Sequence, residues 1–300
     1  MVEEAVGLDP LNVLDALADM DGDGFSNLAE LQAQTEVNNL GSMPEDSAVS
    51  KLVASVLPGH RSTQTGSTVT AFATIINTAD QVAEGCSIVP LRPLLGRWSY
   101  STTNPLTNEA EFDSNVPASI EAGASQSYVF EIQPEETMSD ELELRFDCDN
   151  TAAVNTITGL NTFGLTVSNT PAIDMVALAA TASGNGIVEI DNVGGAAAFA
   201  LASANVGAAG FVTARVRSAA GLPLVAGLCQ TNSSGLCLNN QTPRADWMLD
   251  VDANSTQTFS VFVTATGNVP LDPANNRIVV DFVNAAGGRV GASSVAVMVR

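Results

Sequence analysis

Twelve consecutive residues carry the densest chemistry of this chain: Asp19-Met20-Asp21-Gly22-Asp23-Gly24-Phe25-Ser26-Asn27-Leu28-Ala29-Glu30. Oxygen-bearing side chains fall at loop positions one, three, five, nine and twelve, with glycine at six, the spacing by which a short loop wraps a hard cation. Aspartates at alternate positions turn inward, Gly24 permits the sharp bend, and Phe25 presents its backbone carbonyl. Asn27 is placed to ligate directly or through water, and Glu30 to close the cage with two oxygens. The expected ligands are therefore Asp19, Asp21, Asp23, Asn27 and Glu30 by side chain and Phe25 by carbonyl. Calcium, with about six to eight oxygens in flexible geometry, suits this set better than magnesium with its tight octahedron. A solvated acidic turn is the bland alternative, since Asp-Gly is common in turns. Agreement at every constrained position favours the metal loop.

Elsewhere the chain offers little for catalysis. Its one histidine, His60 in Pro58-Gly59-His60-Arg61, leaves any serine or cysteine nucleophile a single imidazole partner, and it is expected in a loop before the first good strand. The carboxylate pairs Asp140 with Glu141 and Glu109 with Glu111 lack a flanking aromatic cluster to raise a pKa or hold a sugar, so they are expected as solvated surface. Trp98 with Tyr100, and Trp247 separately, could stack on a carbohydrate, but packing in or between sheets is the favoured use of each. No enzyme is expected.

Composition narrows the partners. The net charge is −22 and Lys51 is the single lysine, so no basic patch exists to neutralise phosphates. Nucleic acid and anionic membranes are excluded as expected partners. Residues 1–50 hold eleven Asp or Glu and no Lys or Arg, whereas residues 171–300 hold eight acids against six arginines, so the N-terminal piece attracts cations most strongly. No apolar run reaches the roughly eighteen residues of a membrane span, and Met1 to Pro10 is acidic rather than basic and apolar, so neither direct membrane insertion nor a signal peptide is expected. A secreted chain of this kind would be the C-terminal part of a longer precursor.

The elements around the loop read as β. Ala, Val, Thr, Ser, Asn and Gly dominate, and a charged fraction of 15% leaves few side chains to lace helix surfaces. Residues 1–45 form an acidic, partly helical segment, with the helix expected over Leu28 to Thr35. Residues 46–170 and 171–300 form two β-rich segments joined near Asn169-Thr170-Pro171. Strand patterns recur between them in the same order. Ala71-Phe72-Ala73 returns as Ala198-Phe199-Ala200, and Ala122-Gly123-Ala124-Ser125-Gln126-Ser127-Tyr128-Val129-Phe130 as Ala253-Asn254-Ser255-Thr256-Gln257-Thr258-Phe259-Ser260-Val261. Leu142, Leu144 and Phe146 alternate as Ile278, Val280 and Phe282 do, and Leu165 and Val167 answer to Val295 and Val297. With seven or so strands per copy and no crossover helices, the expectation is two tandem Ig-like antiparallel β-sandwiches behind a short EF-hand-like calcium loop and helix.

Four cysteines allow three pairings, and pairing within each half, Cys86 with Cys148 and Cys229 with Cys237, is the simplest. Reduced, buried thiols are the alternative. The first bridge would tie distant parts of a sandwich, and the second would close a turn-rich hairpin tip.

The N-terminal segment resembles the thrombospondin type 3 and dockerin-like calcium repeats of secreted bacterial modular proteins, through the loop itself, Leu8-Asp9-Pro10-Leu11-Asn12 before it and Glu30-Leu31-Gln32-Ala33-Gln34-Thr35 after it. That resemblance implies extracellular calcium binding next to β-sandwich domains. One loop stands here rather than a tandem array, and a second dockerin half is missing. The remainder is similar to tandem Ig-like repeats of large bacterial surface proteins, which implies fold rather than activity. Together these give the expectation of a noncatalytic, calcium-binding, extracellular or cell-surface module acting as spacer or adhesive unit, its partners calcium and other surface proteins or glycans. The second expectation is a carbohydrate-binding accessory region of a secreted hydrolase.

Overall fold

A computed structural model describes residues 51–104, 106–111, 113–240 and 242–300, together with Leu8, Asp15, Ala18, Met20, Asp21, Asn27, Leu31 and residues 36–39 ahead of them. Strand-forming composition and period-two alternation turn into eighteen strands among these residues, numbered in chain order. The first nine are β1 (Leu52–Leu57), β2 (His60–Gln64), β3 (Val69–Asn77), β4 (Ala83–Pro90), β5 (Gly96–Thr103), β6 (Ala118–Ile120), β7 (Ser125–Pro134), β8 (Met138–Asp147) and β9 (Thr162–Ser168). They make two sheets, ordered β1-β3-β7-β5 and β2-β9-β8-β4-β6.

The next nine are β10 (Met175–Ala180), β11 (Ile187–Ile190), β12 (Ala196–Asn205), β13 (Gly210–Ser218), β14 (Leu224–Gln230), β15 (Asp246–Val251), β16 (Thr256–Ala265), β17 (Arg277–Asn284) and β18 (Arg289–Val299). Their sheets are ordered β10-β12-β16-β14 and β11-β18-β17-β13-β15. Each label of the second unit is that of the first plus nine, so the two units have the same topology strand for strand. In each, one sheet has the order A-B-E-D and the other contains C-F-G of an immunoglobulin-like sandwich, with one extra strand at each edge of the latter.

Each sandwich closes on its own apolar core. The first is built on Tyr128, Phe130, Ile132, Leu144, Phe146 and Phe163, drawn from both sheets. Phe130 meets Phe163 edge-to-face with ring centroids 5.1 Å apart across the layer. In the second, Phe259 and Phe282, the counterparts of Tyr128 and Phe146, pack across the layer 5.8 Å apart.

Three expectations need correction here. The sandwiches are not purely antiparallel: β2 runs parallel to β9 and β11 parallel to β18. In each unit the chain leaves the first sheet after its opening edge strand and enters the second beside the last strand, and there the pairing is parallel. Second, the match of Ala71-Phe72-Ala73 to Ala198-Phe199-Ala200 is one residue out. Ala71 and Ala73 are buried with Phe72 outside, whereas Phe199 is buried with Ala198 and Ala200 outside. With a period of two, a slip of one exchanges the faces. Asn77 and Asn205 set the true register: both are wholly buried, and both amides bind loop carbonyls, Gln81 and Ile120 for Asn77, Ala208 and Asp252 for Asn205. Third, Cys86 and Cys148 are bonded, but they bridge the adjacent strands β4 and β8 of one sheet, next to the register pair Ser87 and Asp147, rather than distant parts. Cys229 and Cys237 are bonded across the hairpin tip as expected.

β9 and β18 depart from clean alternation. Phe163, Gly164 and Leu165 are buried in succession, as are Val290, Gly291, Ala292 and Ser293. Burial on both faces is the mark of a strand covered on both sides, and the cover here is the other sandwich. The two units meet along a seam of β2 and β9 against β10 and the start of β18. Next to it, within the second sandwich, a Cβ on Gly291 would stand 2.2 Å from the Met175 carbonyl oxygen, so glycine is required.

Candidate functional site

Of the six expected calcium ligands, Asp21 and Asn27 are among the described residues; Asp19, Asp23, Phe25 and Glu30 lie outside them. So does the helix expected over Leu28 to Thr35, apart from Leu31. Asn27 is buried. Its Oδ1 accepts the Met20 N–H at 3.0 Å, its Nδ2 donates to the Asp15 carbonyl at 2.7 Å, and its own N–H donates to the Ala18 carbonyl at 2.7 Å. Position nine is thereby tied to position two and to Asp15 and Ala18 just ahead of the loop, and Asp21 at position three is half-buried. A carbonyl oxygen has two lone pairs, so Oδ1 keeps an acceptor site after binding Met20.

The aromatic residues serve packing. Tyr100 is 4% exposed, and burial pushes its phenol pKa up; Trp98 stacks on Phe130 with centroids 4.9 Å apart. The Trp98–Tyr100 platform for a sugar is therefore not present on the surface. Trp247 is half-buried against the second core, with the Arg244 guanidinium 5.2 Å from its ring centre.

His60 is not in a loop. It opens β2, is 3% exposed and sits at the seam. The Thr166 hydroxyl donates to the Arg289 carbonyl at 2.7 Å, so it must accept from His60 Nε2, 3.2 Å away, which fixes the hydrogen on Nε2. Nδ1 then faces Gly164 and has no hydrogen-bond partner among the described residues. Burial, helped by the charge of Arg289, lowers the pKa of His60 to about 4 against the weaker pull of Asp281. The ring is neutral at pH 7.

Sequence reasoning missed the seam altogether. Asp174, just before β10, is 4% exposed and reaches into the first sandwich. Its Oδ2 accepts Arg61 Nε at 2.9 Å and lies 2.8 Å from Nη2, and its Oδ1 accepts the Ser62 N–H at 2.9 Å. Burial pushes the Asp174 carboxyl up, and the Arg61 and Ser62 donors pull it back. A lone Asp after Thr-Pro-Ala-Ile carries no sequence signal for this role.

Beside the seam, the outer face of the sheet containing β17, β13 and β18 and the loop 156–159 of the first sandwich line a solvent-open cavity of about 490 Å³. Three of the ten arginines line it, Arg217, Arg277 and Arg289, together with Asp281 and Glu141. Arg217 Nε donates to Asp281 Oδ2 at 2.7 Å. Arg289 Nε is 3.0 Å from Asp281 Oδ1, close enough for an ion pair though angled off the hydrogen-bond line, and its Nη1 donates to Glu141 Oε2 at 3.1 Å. Glu141 is thus committed across the seam rather than solvated as expected. Arg277 differs from its neighbours: Nε and Nη2 donate to Ser294 Oγ at 3.1 and 2.8 Å, and Nη1 to the Pro273 carbonyl at 2.7 Å. Among the described residues no carboxylate pairs with it, and burial lowers its pKa.

No family model matches the chain, and no curated protein does. Similar solved structures include a protein of unknown function from Porphyromonas gingivalis W83, at 10% identity and TM-score 0.26 over 83% of this chain and 99% of that one. The C-terminal domain of the Streptococcus pyogenes antigen I/II-family protein AspA gives 10% and 0.25 over 83% and 99%. The BIgI domain of beta protein from S. agalactiae, bound to CEACAM1, gives 16% and 0.23 over 39% and 97%. At such scores the likeness bears on neither fold nor function, which rest on the geometry above.

Proposed function

We propose that this chain is a noncatalytic extracellular module, a stiff spacer or adhesive unit of two sandwiches whose N-terminal end is organised by calcium. The observation that carries the spacer reading is the buried joint of Asp174 with Arg61 and the Ser62 N–H. A buried carboxylate held by two directed hydrogen bonds and an ion pair tolerates little rotation, because any swing strands charges away from water. A flexible tether would leave such groups solvated. Two disulfides and no free cysteine among the described residues suit an oxidising compartment, hence a secreted or surface location.

The calcium reading rests on the twelve-residue spacing, and the buried Asn27, whose amide oxygen accepts the Met20 N–H and keeps a second acceptor site, is compatible with a ligand at position nine. Asp19, Asp21, Asp23, Asn27 and Glu30 would hold the ion by side chain and Phe25 by carbonyl. The ion would supply the folding free energy that so short a segment lacks. Calorimetric titration of the full chain with CaCl2 should give one site at about 10⁻⁴ to 10⁻³ M, as for extracellular modules, lost in Asp21→Ala. Absence of calcium heat ends the calcium reading. Small-angle scattering tests the spacer independently: one elongated conformer for the native chain and a broadened ensemble for Asp174→Ala. A native chain already broad overturns it.

A further inference from the structure

We propose that the cavity between the two sandwiches is a binding site for a small hydroxylated monocarboxylate, the chemistry of a sugar acid, with Arg277 as its anchor. This goes beyond the spacer reading and needs no calcium.

The argument starts from charge. In a chain of net charge −22, a lining of three arginines against Asp281 and Glu141 leaves a local balance of +1. Arg217 and Arg289 are already matched to those two carboxylates, so the unmatched charge is that of Arg277. A half-buried guanidinium without a carboxylate partner among the described residues is costly, and its hydrogen bonds to Ser294 and the Pro273 carbonyl do not neutralise it. A balance of +1 fits a monoanion better than a dianionic phosphate or sulfate.

Donor geometry points the same way. A guanidinium has five N–H donors. Ser294 and the Pro273 carbonyl take three of those of Arg277, leaving one on Nη1 and one on Nη2. A planar carboxylate accepts such a pair as a fork, which gives direction as well as charge. Thr156, Thr158, Asn275 and Ser293 line the same cavity, polar groups suited to hydroxyls on the ligand. About 490 Å³ lies within the usual range for small-ligand sites and exceeds what an isolated ion needs. The site exists only while both sandwiches are docked, since loop 156–159 comes from the first and the arginines from the second.

The test is calorimetric titration of the full chain with sodium glucuronate, with glucose and sodium acetate as controls, at low and physiological salt. Saturable glucuronate binding is expected, at least tenfold weaker in Arg277→Gln, several-fold weaker in Arg277→Lys, and unchanged in Arg215→Gln, whose exposed arginine lies outside the cavity and is paired with Asp246. Glucose should not bind, and acetate should bind at least tenfold more weakly than glucuronate. Circular dichroism melts establish that the variants are folded. No saturable glucuronate binding, or equal binding by folded Arg277→Gln, overturns the site. Acetate binding as tight as glucuronate overturns the hydroxylated ligand.

Discussion

An ideal Cβ on Gly164 would lie 2.1 Å from Nδ1 of His60, so these two residues, paired across the parallel strands β2 and β9, determine each other. Gly164→Ala is expected to destabilise by about 1–3 kcal/mol through overpacking. His60→Ala should remove most of that penalty. Denaturant melts of the two single variants and the double variant give the coupling, and additive effects would contradict the contact.

Acidification should weaken the fold through the same imidazole. The pKa of His60 falls from 6.5 to about 4 on folding, so the unfolded chain binds more protons between those values. Stability from the neutral ring is present above about pH 6.5 and drains away as pH falls toward 4, on the order of 3 kcal/mol in all. Asp174 acts in the opposite sense, because its carboxyl is raised and folding favours its protonated form. With a single histidine in the chain, the slope between pH 5 and 6.5 should disappear in His60→Gln. Equal slopes in the two proteins would remove the assignment.

The joint at Asp174 predicts an asymmetric mutant pair. Asp174→Ala leaves both Arg61 and the Ser62 N–H without their partner at a buried site, at a cost of about 3–5 kcal/mol. The double variant Arg61→Leu, Asp174→Ala should recover part of this. Chemical denaturation monitored at Trp98 and Trp247, one in each sandwich, reports whether the two units then unfold separately.

The disulfides should contribute unequally. Cys86–Cys148 spans 62 residues of chain and Cys229–Cys237 spans 8. In the chain-entropy model these correspond to about 4 and about 2.5 kcal/mol. Paired Cys→Ala variants of each, melted side by side, test the ranking.

What could be read from the amino acids was whatever obeys a short period or a fixed spacing. Leu142, Leu144 and Phe146 alternate, and they face the core. The pairings of the four cysteines came out from parsimony alone. The repeat was legible too, but alanine is small enough to sit inside β3 and outside β12, so Ala-Phe-Ala misled by one residue. Asn77 and Asn205, polar yet wholly buried, were the better markers and were passed over. The seam was illegible because its parts are far apart: Arg61 and Asp174 stand 113 residues apart in the chain, His60 and Thr166 stand 106. No local pattern announces that a strand is covered on both faces, and the mixed burial of β9 and β18 reads merely as weak alternation. The expected calcium loop is the reverse case, a spacing explicit in twelve residues, of which Met20, Asp21 and Asn27 are among those described.

The parallel course of β2 beside β9 has a mechanical consequence. A pull applied along the chain from residue 51 to residue 169 draws these neighbours in opposite directions, and the rungs from His60–Gly164 to Gln64–Ser168 are loaded together in shear instead of opening one after another. β11 and β18 repeat the arrangement in the second unit, from Ile187–Ala296 to Ile190–Val299. Two such clamps therefore stand in series along the chain.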